Sequence, residues 1–166
     1  MSYRENTMRF KHVHVFVVPS AAFLVLGIGV ANAGQTINQE GILACVNDKW
    51  DEKEVDKGHK LVDYAGRCMK LPSDPTAEKV PMDCVGKYEY MPDGSWKGSG
   101  TCTHTHKGGD KLTDTWEEGS HLKAYPYKLS DGTGKLQGVS GGGTYIYENV
   151  TDTLSAGTYK GTLQLP

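Results

Sequence analysis

Beyond residue 33 this chain has no segment with helical spacing of apolar residues and no apolar run long enough to cross a bilayer. A helical bundle and a helical membrane protein are thereby excluded for that part. The cysteines show no C-x-x-C spacing, which removes the common redox and zinc arrangements. Basic residues are not in excess: the formal net charge is -2, and nucleic acid, which wants a basic patch, is not expected as a partner. The Gly141-Gly142-Gly143 run lacks the strand-then-helix setting of a phosphate loop and reads as a barrel corner. The acidic stretch Asp48–Asp56 lacks the ligand spacing and central glycine of a calcium loop. No cofactor and no metal are expected. Asn149-Val150-Thr151 has the form of a glycosylation acceptor, a pattern too cheap to carry weight.

What is present starts at the N-terminus. Arg4, Arg9 and Lys11 precede a mostly apolar run from Val13 to Val30, and Ala31-Asn32-Ala33 supplies the small-x-small pattern that a signal peptidase cuts. The expectation is a signal peptide over residues 1–33 and an exported protein, periplasmic or extracellular, that begins at Gly34. An uncleaved anchor is the alternative, and Pro19, Gly27, Gly29 and the cleavage triplet count against it. No lipobox cysteine follows the apolar run, since the first cysteine is Cys45. Residues 34–166 have the size of one ordinary domain.

Within that domain, apolar residues alternate with period two. From Thr158 to Leu165, Tyr159, Gly161, Leu163 and Leu165 share one face while Thr158, Lys160, Thr162 and Gln164 share the other. The same rule predicts strands near 42–50, 59–70, 82–91, 95–106, 110–118, 121–129, 134–148 and 157–165, with turns at Lys57-Gly58, Pro92-Asp93-Gly94, Gly108-Gly109 and Asp131-Gly132. Residues 71–81, rich in proline and charge, read as a long surface loop. The fold class is all-β, a single eight-stranded antiparallel β-barrel, because closure leaves no unpaired edge; a sandwich is the alternative. Lys97, Thr101, Thr103, Lys160 and Thr162 give one face a polar character unlike the apolar band of a transmembrane barrel.

Ser99-Gly100-Thr101-Cys102-Thr103, Gly109-Asp110-Lys111, Gly132 to Gly138 and Gly141-Gly142-Gly143-Thr144-Tyr145 carry a resemblance. Over residues 95–166 the chain resembles the exported bacterial members of the allene oxide cyclase barrel-like group, which also includes plant dirigent proteins. The resemblance implies an eight-stranded antiparallel barrel of lipocalin-like shape. It implies little about activity, because one fold hosts many functions, and no cyclase active-site motif matches residue by residue.

Cys45, Cys68, Cys84 and Cys102 permit three pairings. Cys84 and Cys102 are symmetric about Asp93, Cys45 and Cys68 about the turn at residues 56–57, and Cys68 and Cys84 about the proline-rich loop. The preferred expectation is Cys68–Cys84, a staple at the neck of that loop, with Cys45–Cys102 as the second pair or two free thiols.

Aromatic residues dominate the candidate binding site. Tyr64, Tyr88, Tyr90, Trp96, Trp116, Tyr125, Tyr127, Tyr145, Tyr147 and Tyr159 fall in expected strands, and the paired ones sit two apart on a common face. If that face is inward, it suits a flat apolar or aromatic ligand with a few hydroxyl partners; the alternative is an interior packed solid by its own side chains. His104 shares the face of Trp96 and Cys102, and with His106 forms an H-x-H pair that Asp110 or His121 would have to complete as a metal site. Simple solvation near a strand end is the preferred expectation for the pair. Glu89, Glu117 and Glu118 read as solvated rim charges. Three functions are compatible with these features: a small-molecule-binding barrel, a cofactor-free isomerase, cyclase or stereochemical guide acting in the same cavity, and an envelope structural protein.

Overall fold

Eight antiparallel strands follow one another in chain order and close into a barrel: β1 (Thr36–Asp56), β2 (His59–Pro72), β3 (Val80–Tyr90), β4 (Trp96–Thr105), β5 (Lys111–Gly119), β6 (Tyr125–Ser130), β7 (Ser140–Asn149) and β8 (Leu154–Gln164). This computed structural model describes residues 34–166, and the expected signal peptide lies outside the described residues. Closure comes from β1, which is paired with β2 on one side and β8 on the other, so the all-β barrel replaces the sandwich alternative. Turns sit where the chain can take positive φ: Gly58, Gly94, Gly108 and Gly109, and Asp131 at 50°, a tolerance that aspartate gains from its short polar side chain.

Element boundaries depart from the sequence pattern in three places. β1 runs well past the expected 42–50. Its far end, Asp51–Asp56, is charged and exposed, yet it is held as a strand by pairing with β2, where Lys60 Nζ meets Glu52 Oε1 at 2.6 Å. β6 and β7 begin later than expected, because Gly134–Leu136 forms a 3-10 turn and residues 121–124 do not join the sheet. The proline-rich loop is shorter than 71–81, since β2 extends to Pro72 and β3 starts at Val80.

The two disulfides are Cys45–Cys68 and Cys84–Cys102. The expected Cys68–Cys84 and Cys45–Cys102 pairs are therefore incorrect, and strand register explains why. Cys45 stands directly opposite Cys68, and Cys84 directly opposite Cys102, whereas Cys68 faces Met82 and Cys84 faces Gly66. Symmetry about a loop puts two residues opposite only when the register is centred on that loop, and here the β2–β3 register is displaced by two. The disulfides still touch, with Cys68 Sγ and Cys84 Sγ 3.8 Å apart, so they form one sulfur patch across the β2–β3 seam.

The inward face carries the core. Leu43, Val62, Met82, Leu112, Leu129 and Leu163 are buried with Tyr88, Trp116, Tyr127 and Tyr159 and with Cys68, Cys84 and Cys102, and half-buried Cys45 packs against them. A bulge at Asp48 shifts the phase of β1, so that Leu43, Cys45 and Asn47 point inward before it and Trp50 points inward after it. Arg67 on β2 pins the bulge by donating from Nε and Nη2 to the two carboxylate oxygens of Asp48, at 2.8 and 2.7 Å.

Candidate functional site

Glycine placement decides whether the barrel is solid or hollow. In three cross-strand rows an aromatic residue faces glycine on the adjoining strand: Tyr88 faces Gly98, Trp116 faces Gly100 and then Gly86, and Tyr127 faces Gly143 and then Gly161. With no Cβ beneath it, each ring lies down over the neighbouring backbone. The rings therefore line the wall and leave a cavity of about 480 Å³. That volume falls within the range of small-molecule pockets.

Every aromatic candidate from the sequence reaches this cavity: Tyr64, Tyr88, Tyr90, Trp96, Trp116, Tyr125, Tyr127, Tyr145, Tyr147 and Tyr159. They interlock edge to face, tilted or stacked, as where Tyr64 meets Trp116 edge-on at 6.1 Å and Tyr145 stacks on Tyr147 at 6.2 Å between centroids. Trp50, absent from the sequence-based set, joins them and lies 5.0 Å from Tyr88. Its strand phase becomes readable only once the Asp48 bulge is known.

Glu118 corrects the expectation of a rim charge. Leu112, Asp114, Trp116 and Glu118 alternate along β5 and all point inward, leaving Glu118 only 6 % exposed. Glu118 and Tyr88 both face Gly98, one from each side, so the tyrosine leans across the glycine and donates to Glu118 Oε2 at 3.0 Å. From β7, Tyr147 donates to the same oxygen at 2.7 Å and Tyr145 to Oε1 at 2.6 Å. Burial raises the Glu118 pKa above its ordinary value, and the three phenol hydrogen bonds only partly offset it. The same burial, together with the Glu118 charge, pushes the Tyr88, Tyr145 and Tyr147 hydroxyls up as well, so they stay protonated and remain donors. Glu89 and Glu117 lie on the other face of their strands; Glu89 is tied to Lys97 at 2.8 Å and His59 at 2.9 Å.

The Glu118 carboxyl sets a pH test of the fold. Because its pKa is higher in the folded barrel than in the unfolded chain, its contribution to stability is complete below the unfolded value near 4.5 and is lost as pH rises through the folded value. Glu118→Gln has no such titration. Urea unfolding at pH 4 and pH 8 should therefore show the variant gaining on the wild type at the higher pH, and a constant difference would contradict the raised pKa.

A second titratable set lies along the barrel. Lys70 on β2 is 7 % exposed, and its Nζ lies 4.0 Å from Asp114 Oδ2. The ammonium also sits over the rings of Tyr127 and Tyr159, 4.4 and 5.3 Å from their centroids. Burial lowers its pKa to about 8 despite the nearby carboxylate. His104 is not part of the aromatic cavity, contrary to the sequence expectation. Its ring is buried, its Nε2 is 2.7 Å from Asp114 Oδ2, and it lines a second cavity of about 430 Å³ together with His106, Leu112 and Leu163. Burial holds its pKa below the ordinary histidine value. The H-x-H pair is divided between partners, with His106 Nδ1 2.9 Å from Glu78 Oε2, so the pair is not simply solvated. Among the described residues no group of three or more His, Cys, Asp or Glu side chains is arranged to hold a metal ion. Asp114 Oδ1, Trp116 Nε1 and Tyr127 Oη are buried without a hydrogen-bond partner among the described residues.

No protein-family model matches the sequence, and no curated protein matches it significantly. Solved structures share the fold. One pterocarpan synthase dirigent protein is 11 % identical and superposes with a TM-score of 0.52, covering 91 % of this chain and 99 % of its own. Another is also 11 % identical, with a TM-score of 0.50 and coverage of 79 % and 96 %. At this identity the likeness establishes the barrel architecture and nothing finer.

Proposed function

We propose that residues 34–166 form an exported small-molecule-binding barrel whose aromatic cavity holds a flat aromatic ligand, with residues 1–33 as the export signal. The observation that carries this reading is the belt of tyrosine and tryptophan rings around a cavity of about 480 Å³. Tyr88, Trp116 and Tyr127 lie over glycines of the neighbouring strands instead of standing into the interior, which preserves the space. The tyrosine hydroxyls and Glu118 supply a few polar partners to a mostly apolar wall, the usual composition of a ligand site. Two disulfides fit an oxidising, extracellular setting.

The test is titration with a neutral apolar dye such as Nile red. Wild-type protein is expected to bind one equivalent. Tyr88→Ala and Trp96→Ala should each weaken binding about tenfold, the scale of one lost aromatic contact. Lys97→Ala, on the outer face, should change it little. Intact mass of the exported protein should correspond to a chain starting at Gly34. Absence of stoichiometric binding would remove the proposal.

A second reading is favoured by one observation, the convergence of Tyr88, Tyr145 and Tyr147 on the buried Glu118. A carboxyl group with a raised pKa inside an aromatic cavity is equipped to take a proton from, or return one to, a bound phenolic intermediate. In that case the barrel is a cofactor-free cyclase or stereochemical guide, a reading to which the pterocarpan synthase dirigent neighbours lend support. Unequal enantiomers from a prochiral aromatic intermediate closed in its presence would distinguish a guide from a carrier, which gives racemic product.

A further inference from the structure

Charge along the aromatic cavity is unbalanced. At one end, Asp114 and the faces of Tyr127 and Tyr159 surround an ammonium group that belongs to the chain, Lys70 Nζ. A carboxylate and two ring faces there hold one organic cation. Four residues further along β5, about 13 Å away at the usual strand rise, Glu118 provides a second carboxyl group. Aromatic side chains gather at this carboxyl too: Trp50 and Trp96 pack on Tyr88, and Tyr125 packs on Tyr147, and all of them line the cavity. This second carboxyl, however, has only neutral phenols as partners. Among the described residues that line the cavity, Lys70 is the sole basic side chain, whereas Asp114, Glu118, Glu148 and Asp152 are all acidic.

From this we infer that the cavity selects organic cations, taking an ammonium compound of aromatic size whose positive charge rests against Glu118 among the aromatic rings. The inference rests on the reading of the cavity as a ligand site and adds the charge of the ligand. The physical reason is preorganisation. Folding has already removed water from Glu118, so a cation brought next to it finds a carboxylate that the three phenols have oriented and incompletely compensated. A cation among these aromatic rings can also meet their faces, whose quadrupoles attract positive charge and repel an anion. Glu148 and Asp152, both exposed, favour approach of a cation in the same way. A cationic ligand would also draw the Glu118 pKa back down, so binding should release protons near that pKa. The charged or titratable groups concerned are Glu118, Tyr88, Tyr145 and Tyr147 in contact, with Tyr64, Tyr90 and Tyr125 beyond them.

The experiment uses ligands matched in shape. Phenyltrimethylammonium and tert-butylbenzene differ in charge and hardly in size, and benzenesulfonate supplies the opposite charge. Each is titrated into the disulfide-intact domain, by calorimetry or by competition with Nile red. The cation is expected to bind at least about tenfold more tightly than its neutral isostere, the difference that one desolvated cation–π and carboxylate contact gives. Glu118→Gln keeps an acceptor for the tyrosines and should bring the two affinities to within about threefold, with near-UV circular dichroism reporting that the aromatic belt is intact. Equal affinity for cation and isostere, or tighter binding of benzenesulfonate, overturns the inference while leaving the cavity as a ligand site. If none of the three compounds nor Nile red binds, the ligand-site reading itself fails. The wild-type comparison decides the matter even if the variant does not fold.

Discussion

Removing both disulfides is expected to cost about 6 kcal/mol of folding stability, since each closes a loop of roughly 20 residues and contributes about 3 kcal/mol through restriction of the unfolded chain. The sequence separations are 23 for Cys45–Cys68 and 18 for Cys84–Cys102. A domain of this size has about 5–15 kcal/mol in total, so the doubly reduced barrel stands at the edge of unfolding at ordinary temperature. Cys45→Ala/Cys68→Ala and Cys84→Ala/Cys102→Ala should each lower the urea unfolding free energy by about half of the combined loss. The combined variant should fall slightly short of additivity, because the bridges touch at Cys68 and Cys84 and share neighbours. Both bridges staple neighbouring strands in the first half of the barrel, β1 to β2 and β3 to β4, and leave the β7–β8 and β8–β1 pairings that complete closure to backbone and packing alone. Peptide mapping without reductant should recover Cys45 linked to Cys68 and Cys84 linked to Cys102. A Cys68–Cys84 peptide from the native protein would contradict the strand register, and a loss below about 1 kcal/mol on full reduction would contradict the loop-closure account.

The barrel and its aromatic lining were legible because both follow from alternation. Turn residues such as Gly58, Gly94 and Asp131 mark where strands end, and parity along a strand assigns Tyr88 and Tyr90, or Tyr145 and Tyr147, to one face. The misreadings have specific causes. Cysteine pairing depends on the register between strands, which the long loop between β2 and β3 leaves undetermined, so symmetry arguments could not separate the three pairings. Trp50 was hidden by the Asp48 bulge, where alternation slips by one residue. Glu118, by contrast, was available: it lies two residues from Trp116, and inward tryptophan implies inward glutamate and inward Asp114 on the same strand. The same parity places Lys70 with Tyr64 and Cys68. Charged side chains seldom lie in a core, but strand parity is the stronger rule here, because a strand cannot turn one side chain outward without a bulge. His104 satisfies parity too, but parity gives the face and not the height along the barrel, and height is what separates His104 from the aromatic cavity.

Glycine spacing leads to the second large effect. Gly86 and Gly100 stand opposite each other on β3 and β4, and Trp116 stands opposite Gly100 on β5, so the indole lies across both glycines. A Cβ at Gly86 would be driven into the indole carbons Cζ2 and Cη2 and the Ser99 carbonyl, and one at Gly100 into the same ring and, closer still, the Val85 carbonyl. Neither glycine has a positive φ, so backbone conformation is not the obstacle; space is. Gly86→Ala and Gly100→Ala are each expected to cost about 3 kcal/mol, at the upper end of the usual range for overpacking, with Gly100→Ala the worse because its nearest obstacle is a backbone carbonyl, which cannot rotate away, whereas at Gly86 the indole is nearest. Ser99→Ala, on the exposed face between them in sequence, should stay within about 0.5 kcal/mol. The displaced indole has one direction in which to move, into the cavity, so Nile red binding should fall with stability. A double-mutant cycle separates ring from backbone. Combined with Trp116→Leu, whose own cost is that of a large-to-small change, Gly86→Ala should lose part of its destabilisation, because the indole has gone and the Ser99 carbonyl remains, while Gly100→Ala should retain more of its own through the nearer Val85 carbonyl. Strict additivity of Gly86→Ala and Trp116→Leu would mean that the glycine is not the seat of the ring, and the hollow interior would need another cause.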